Sequence, residues 1–153
     1  MCLKGDEKMK PSIFNVAAYV IDKCGEMTTM KLEKLVYYCQ AWSLAWDGEP
    51  LFEEEFEAWA NGPVSPTLFA KHKGKFRVGK ETFSDVDLTM FNKDQIATMD
   101  AVIRDLGNKT SHWLSDLTHS EIPWQEARNG CSPGERCSNI IDKDSMQQYY
   151  GSL

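Results

Sequence analysis

No apolar run in this sequence approaches the roughly 18 residues that a membrane-spanning helix requires, because charged or polar groups interrupt every long hydrophobic stretch. The opening residues, MCLKGDEKMK, hold no apolar signal core either. A cytoplasmic protein with no membrane partner is the expectation. Paired cysteine motifs are also missing. Cys2, Cys24, Cys39, Cys131 and Cys137 are odd in number and include no CxxC knuckle, which argues against a disulfide framework or structural zinc. Reduced thiols are the simpler expectation, although Cys131 and Cys137, which bracket SPGER, can pair under oxidation. Positive charge is in deficit. With 17 Lys and Arg against 23 Asp and Glu, the formal net charge of −6 disfavours general nucleic-acid binding, since neutralising phosphates needs a surplus of Lys and Arg at the contact surface. A protein partner suits this balance better. Neither a P-loop nor a GxGxxG pattern occurs, and no internal repeat points to a solenoid.

What is present reads as one folded unit. The 153 residues are 42% hydrophobic and 26% charged, enough apolar material for a core without covalent staples. Residues 1–10 are expected to form a polar, flexible lead-in and residues 11–153 a single domain. Behind a Ser12 cap, Ile13, Val16, Ala17, Val20 and Cys24 recur at helical spacing up to about Gly25. From Thr29, Leu32, Leu35, Val36, Cys39, Trp42 and Trp46 make one stripe while Tyr37, Tyr38, Ala41, Leu44 and Ala45 cover the other side. A helix apolar nearly all round belongs in the centre, and Asp47-Gly48-Glu49-Pro50 stops it. Phe56, Ala58 and Ala60 alternate with Glu55, Glu57 and Trp59 as a short strand. Asn61-Gly62-Pro63 is turn chemistry, and Ser65-Pro66 opens a helix to about His72. Phe83, Val86 and Leu88 allow a further strand or only a loop.

Later helices carry clearer end signals. Asn92 and Gln95 form a capping box, Phe91 and Ile96 stand at staple positions, and Ile96, Met99, Ile103 and Leu106 form the stripe before Gly107. Ser111 is placed to cap the next helix, Pro123 to open another, and Asp142 to cap a terminal helix with Ile141 and Met146 as its staple. The fold class expected is mainly α: a compact helical bundle with a small β element.

Candidate chemistry is sparse. His112, Asp116 and His119 at i, i+4 and i+7 would share a helical face and offer metal ligands for a metal-dependent enzyme. The competing reading ends the helix near Thr118 and leaves His119 in the following turn with His112 exposed, and it is preferred. Cys39 lies on the apolar stripe, where a thiol stays protonated and packs as a small hydrophobe. Lys71, Lys73, Lys75, Arg77 and Lys80, interleaved with His72 and Phe76, are the one basic cluster, while Glu53, Glu54, Glu55 and Glu57 form an acidic run beside Trp59. Five tryptophans, Trp42, Trp46, Trp59, Trp113 and Trp124, exceed what this core needs, and tryptophan is enriched at interface hot spots.

Three spaced segments carry a resemblance. Met30-Lys31-Leu32-Glu33-Lys34-Leu35-Val36-Tyr37-Tyr38, Ala58-Trp59-Ala60-Asn61-Gly62-Pro63-Val64, and Leu114-Ser115-Asp116-Leu117-Thr118-His119 with Pro123-Trp124 resemble the Panacea, or SocA-like, antitoxin domain over residues 13–150. The resemblance implies a mainly helical, non-enzymatic protein without a cofactor, often encoded by prophages and mobile elements, that neutralises a toxin by protein contact. It points to Trp59, Asn61, Gly62, Pro63, His119 and Trp124 as partner-binding residues. An adaptor or inhibitor acting on a host protein or protease is the second binding role such a surface permits.

Overall fold

The computed structural model describes residues 10–153; the lead-in expected over residues 1–10, Cys2 included, lies outside the described residues apart from Lys10. Seven α-helices and two small antiparallel two-stranded sheets make up the described residues, so the mainly helical expectation holds.

The first helix, α1 (Ile13–Cys24), begins at Ser12, whose side chain accepts from the Phe14 N–H while Asn15 reaches back to complete a capping box. A two-residue strand β1 (Met27–Thr28) leads into α2 (Thr29–Trp42), capped by the Thr28 hydroxyl on the Lys31 N–H. The rule that a helix apolar on every side must be central is met: every side chain from Leu32 to Ala41 is buried. Cys39 is among them, fully buried, with its thiol pushed up by loss of solvation. α2 runs on as a single wide turn over Ser43–Asp47 and ends at Gly48, in the left-handed conformation that glycine tolerates.

Around α2 pack β2 (Glu57–Trp59) and β3 (Gly62–Val64), then α3 (Pro66–His72), β4 (Arg77–Val78), α4 (Lys93–Leu106), α5 (Ser111–His119), α6 (Ile122–Ala127) and α7 (Lys143–Gly151). Helices α1, α4, α5 and α7 all contact α2, and β3 and α3 lie against it as well. The strand expected over residues 55–60 is the shorter β2, paired with β3 in the register Glu57↔Val64, Ala58↔Pro63 and Trp59↔Gly62.

Several local expectations need correction, though not that for the segment containing Phe83, Val86 and Leu88, which takes the loop form of the two its sequence allows. A 3₁₀ turn at Lys80–Phe83 precedes a loop, and the strand of this region is β4, which pairs with β1 through Met27↔Val78 and Thr28↔Arg77. The cap of α5 is Thr110, whose hydroxyl accepts from the Trp113 N–H, and Ser111 is the first helical residue. Asp142 holds the cap position of α7 without a side-chain bond. On α4 the inward face is Thr98, Met99 and Val102, so Ile96 stands at the exposed rim while its staple partner Phe91 is buried. Cys131 and Cys137 form a disulfide, contrary to the expectation of reduced thiols, because the turn through Pro133 and Gly134 brings their Cα atoms to 5.9 Å. Cys24 and Cys39 are free. No described helix is long and apolar enough to cross a membrane.

Candidate partner-binding site

Four of the side-chain bonds that hold the β2–β3 hairpin end on its carbonyls, and its Ala58 N–H donates to the Asn139 carbonyl at 2.9 Å. Trp124 Nε1 on α6 donates to the Trp59 carbonyl at 2.8 Å, Ser115 Oγ on α5 to that of Asn61 at 2.6 Å, and Lys34 Nζ on α2 to that of Pro63 at 3.3 Å. Arg128, just past α6, donates from Nη1 to the Ala58 carbonyl at 3.0 Å and from Nη2 to that of Ser132 at 2.7 Å. A two-stranded hairpin has little stability in water by itself; this one is fixed by side chains from three flanking helices. Segments of the chain far apart in sequence, which the family resemblance singled out, therefore meet at one place.

Gly62 explains why the turn needs glycine. Its φ of +119° lies where L side chains are strained, and a Cβ there would sit 2.5 Å from Lys34 Cε and 2.9 Å from Thr118 Oγ1. The backbone thus runs directly against α2 and α5. Gly62 and Pro63 are buried, so neither offers a surface to a partner, contrary to their expected role. Asn61 at the hairpin tip is exposed, and Trp59, His119 and Trp124 are half-buried.

Trp59 sits in a polar and aromatic frame. Its Nε1 donates to Glu57 Oε1 at 2.8 Å, its ring meets Phe69 edge-on with centroids 5.0 Å apart, and the Arg136 guanidinium lies 3.9 Å above it. Arg136 comes from the loop that the Cys131–Cys137 disulfide closes. Between this loop and the hairpin is a cleft of about 250 Å³ bordered by Met30, Trp59, Ala60, Asn61, Val64 and Gly134. Such a recess, with an aromatic wall and a guanidinium at its edge, suits a side chain of a docking protein.

His119 ends α5 with its ring stacked on the Trp124 indole at 4.1 Å. Burial holds its pKa below the ordinary histidine value, against the opposing influence of the Ala60 backbone and Asp116. His112 is exposed on the first turn of α5 and pairs with Asp116 at 3.4 Å. The helix runs through His119 instead of ending near Thr118, so His119 is its last residue and not part of the following turn, and its Nε2 is buried without a partner among the described residues; only the exposure of His112 follows the preferred reading. Among the described residues no three His, Cys, Asp or Glu side chains gather as metal ligands.

Beneath the hairpin lies a polar network that sequence reasoning missed. Glu33 and Lys34, adjacent on α2, are both buried. Glu33 Oε1 accepts from the Ser65 N–H at 2.9 Å and Oε2 meets His72 Nε2 at 2.7 Å, which fixes both ends of α3 to α2. Desolvation raises the Glu33 pKa, with His72 and Ser65 opposing it, and lowers that of Lys34 to about 8. One turn further along α2, Glu121 Oε1 accepts from Tyr38 and Tyr150, each at 2.6 Å. Because the Tyr150 proton is committed to Glu121, the Tyr37 hydroxyl donates to Tyr150 across 3.2 Å. The signal was available: a charged residue on a helix with no solvent face must be buried, and a buried charge needs a partner. Only its partners, 32 and 39 residues away for Glu33, were beyond reach.

A mainly helical protein built round a clamped hairpin, with a tryptophan-lined recess at its tip, is the class this architecture defines. The family model for the SocA-like antitoxin, Panacea domain, matches residues 32–125, which take in all six residues singled out above, and the chain belongs to that family. It is similar to antitoxin SocA of Caulobacter vibrioides (strain NA1000 / CB15N), with 25% identity over 130 residues covering 75% of this chain and 69% of that protein. No solved structure matches the chain.

Proposed function

We propose that this chain is a cytoplasmic antitoxin that neutralises a cognate toxin by direct protein contact, as a single non-enzymatic domain over residues 11–153, encoded in a prophage or mobile element. The observation that carries the reading is the family match across the whole clamped hairpin, joined to a relative named as an antitoxin. The contact surface we assign is Asn61, the accessible parts of Trp59, His119 and Trp124, and the recess beside Arg136. An aromatic anchor framed by polar groups is the usual make-up of a contact that contributes strongly to affinity. Gly62 and Pro63 act in it from behind, by shaping the turn that presents Asn61.

The test is co-expression with the product of the neighbouring gene. Growth arrest by that product alone, relieved by this chain and accompanied by a co-purifying complex, supports the reading. Absence of both relief and complex contradicts it.

A further inference from the structure

Lys71, Lys73, Lys75, Arg77 and Lys80 fall in a stretch of ten residues, 71–80, that contains no acid, whereas all 23 acidic residues lie elsewhere in the chain. All five are exposed, and among them Phe76 is 76% exposed, more than any other large apolar side chain described. Among the described residues only Arg77 of the five enters an ion pair, with Glu26 at 3.8 Å. The backbone beneath is not loose. The Lys75 N–H donates to the His72 carbonyl and the Thr29 N–H to the Phe76 carbonyl, each at 2.9 Å, and Arg77 pairs with Thr28 in the β1–β4 ladder. At the base, His72 is buried against Glu33. The ring is therefore presented to solvent by a paired backbone, flanked on each side by a cation.

We propose that residues 71–80 form a docking surface for a short acidic segment of a partner protein, with carboxylates meeting the lysines and an apolar side chain covering Phe76. Charge complementarity selects the partner. Screening limits an exposed charge to roughly 8–10 Å, so a short acidic segment meets a local surplus of five cations over the two bordering carboxylates, Glu26 and Glu81. A long nucleic acid also meets the remainder of the chain, where acids far outnumber bases. The surface is separate from the recess at Trp59, and the proposal does not depend on the antitoxin reading.

The experiment is fluorescence anisotropy of a labelled short peptide of glutamates around one leucine, titrated with the full chain at low and rising salt. Single-stranded DNA of matched charge is the comparison probe. Saturable peptide binding that weakens with salt, drops about tenfold in K73E/K75E and drops further in F76S supports the proposal, given unchanged circular dichroism for both variants. Absence of saturable binding overturns it, as does binding indifferent to both variants. Tighter binding of the DNA reassigns the surface to nucleic acid and overturns it too. Self-association of the chain that the same substitutions abolish shows that a second copy occupies the surface, and likewise overturns it.

Discussion

Replacing Gly62 with alanine tests whether the hairpin really runs against the central helix. Two costs add at this position. A non-glycine residue at φ +119° is strained, on the order of 1–3 kcal/mol. The new methyl also meets Lys34 Cε at 2.5 Å and Thr118 Oγ1 at 2.9 Å. Lys34 is buried and bonded to the Pro63 carbonyl, so it cannot swing into solvent to make room. Overpacking of this kind costs about 1–3 kcal/mol. A total of about 3 kcal/mol lowers Tm by on the order of 10 °C in a chain of this size. The assay is thermal unfolding followed by circular dichroism, with chemical denaturation as a second measure. A melting temperature within a degree or two of the parent refutes the close approach inferred here.

The remaining predictions concern the buried charges and the disulfide. Because the Lys34 pKa falls to about 8 from an ordinary value of 10.5, the unfolded chain binds more protons than the folded one between those limits, and stability rises with pH across that window. Urea titrations should show a gain of roughly 3 kcal/mol from pH 8 to 10.5 at this site, and K34M should flatten it, the removal of the buried ammonium being offset at neutral pH by the loss of its bond to the Pro63 carbonyl. H72A leaves Glu33 buried with only the Ser65 amide, and should cost about 3–5 kcal/mol in the same titrations; a cost below 1 kcal/mol speaks against the pairing. Reducing the Cys131–Cys137 bond, which closes a short loop, should cost about 2 kcal/mol, seen as a lower melting temperature in dithiothreitol that the C131S/C137S variant reproduces without reductant.

Much of the fold was legible because its signals are local. Ser12 with Asn15 and Asn92 with Gln95 cap helices through bonds spanning three residues, and the turn chemistry of Asn61-Gly62-Pro63 places the hairpin. The centrality of α2 followed from its lack of a polar face. What escaped depends on contacts between distant segments. The two-residue strand β4 exists only because β1, some fifty residues earlier in the chain, offers it an edge. Thr110 and Ser111 are equally good capping residues by type, and only the register of α5 against the core separates them.

The site was legible in part. Trp59, Asn61, His119 and Trp124, which the motifs name, converge in the fold, but motifs alone do not tell an exposed residue from one that shapes the turn. Gly62 and Pro63 belong to the second kind because their backbone carries the contacts. Arg128 and Arg136, which frame the hairpin and Trp59, sit in loop sequence with no periodic pattern to mark them, and only the folded chain brings them to the hairpin.

The central claim is that a toxin is bound at the hairpin tip. Titration calorimetry between the purified chain and the product of the neighbouring gene measures this directly, with N61R and W59A as variants whose folds are checked by their melting curves. The account predicts a stoichiometric complex that either substitution weakens by about tenfold or more. Tight binding that both variants leave unchanged, or no binding by the parent chain, contradicts it.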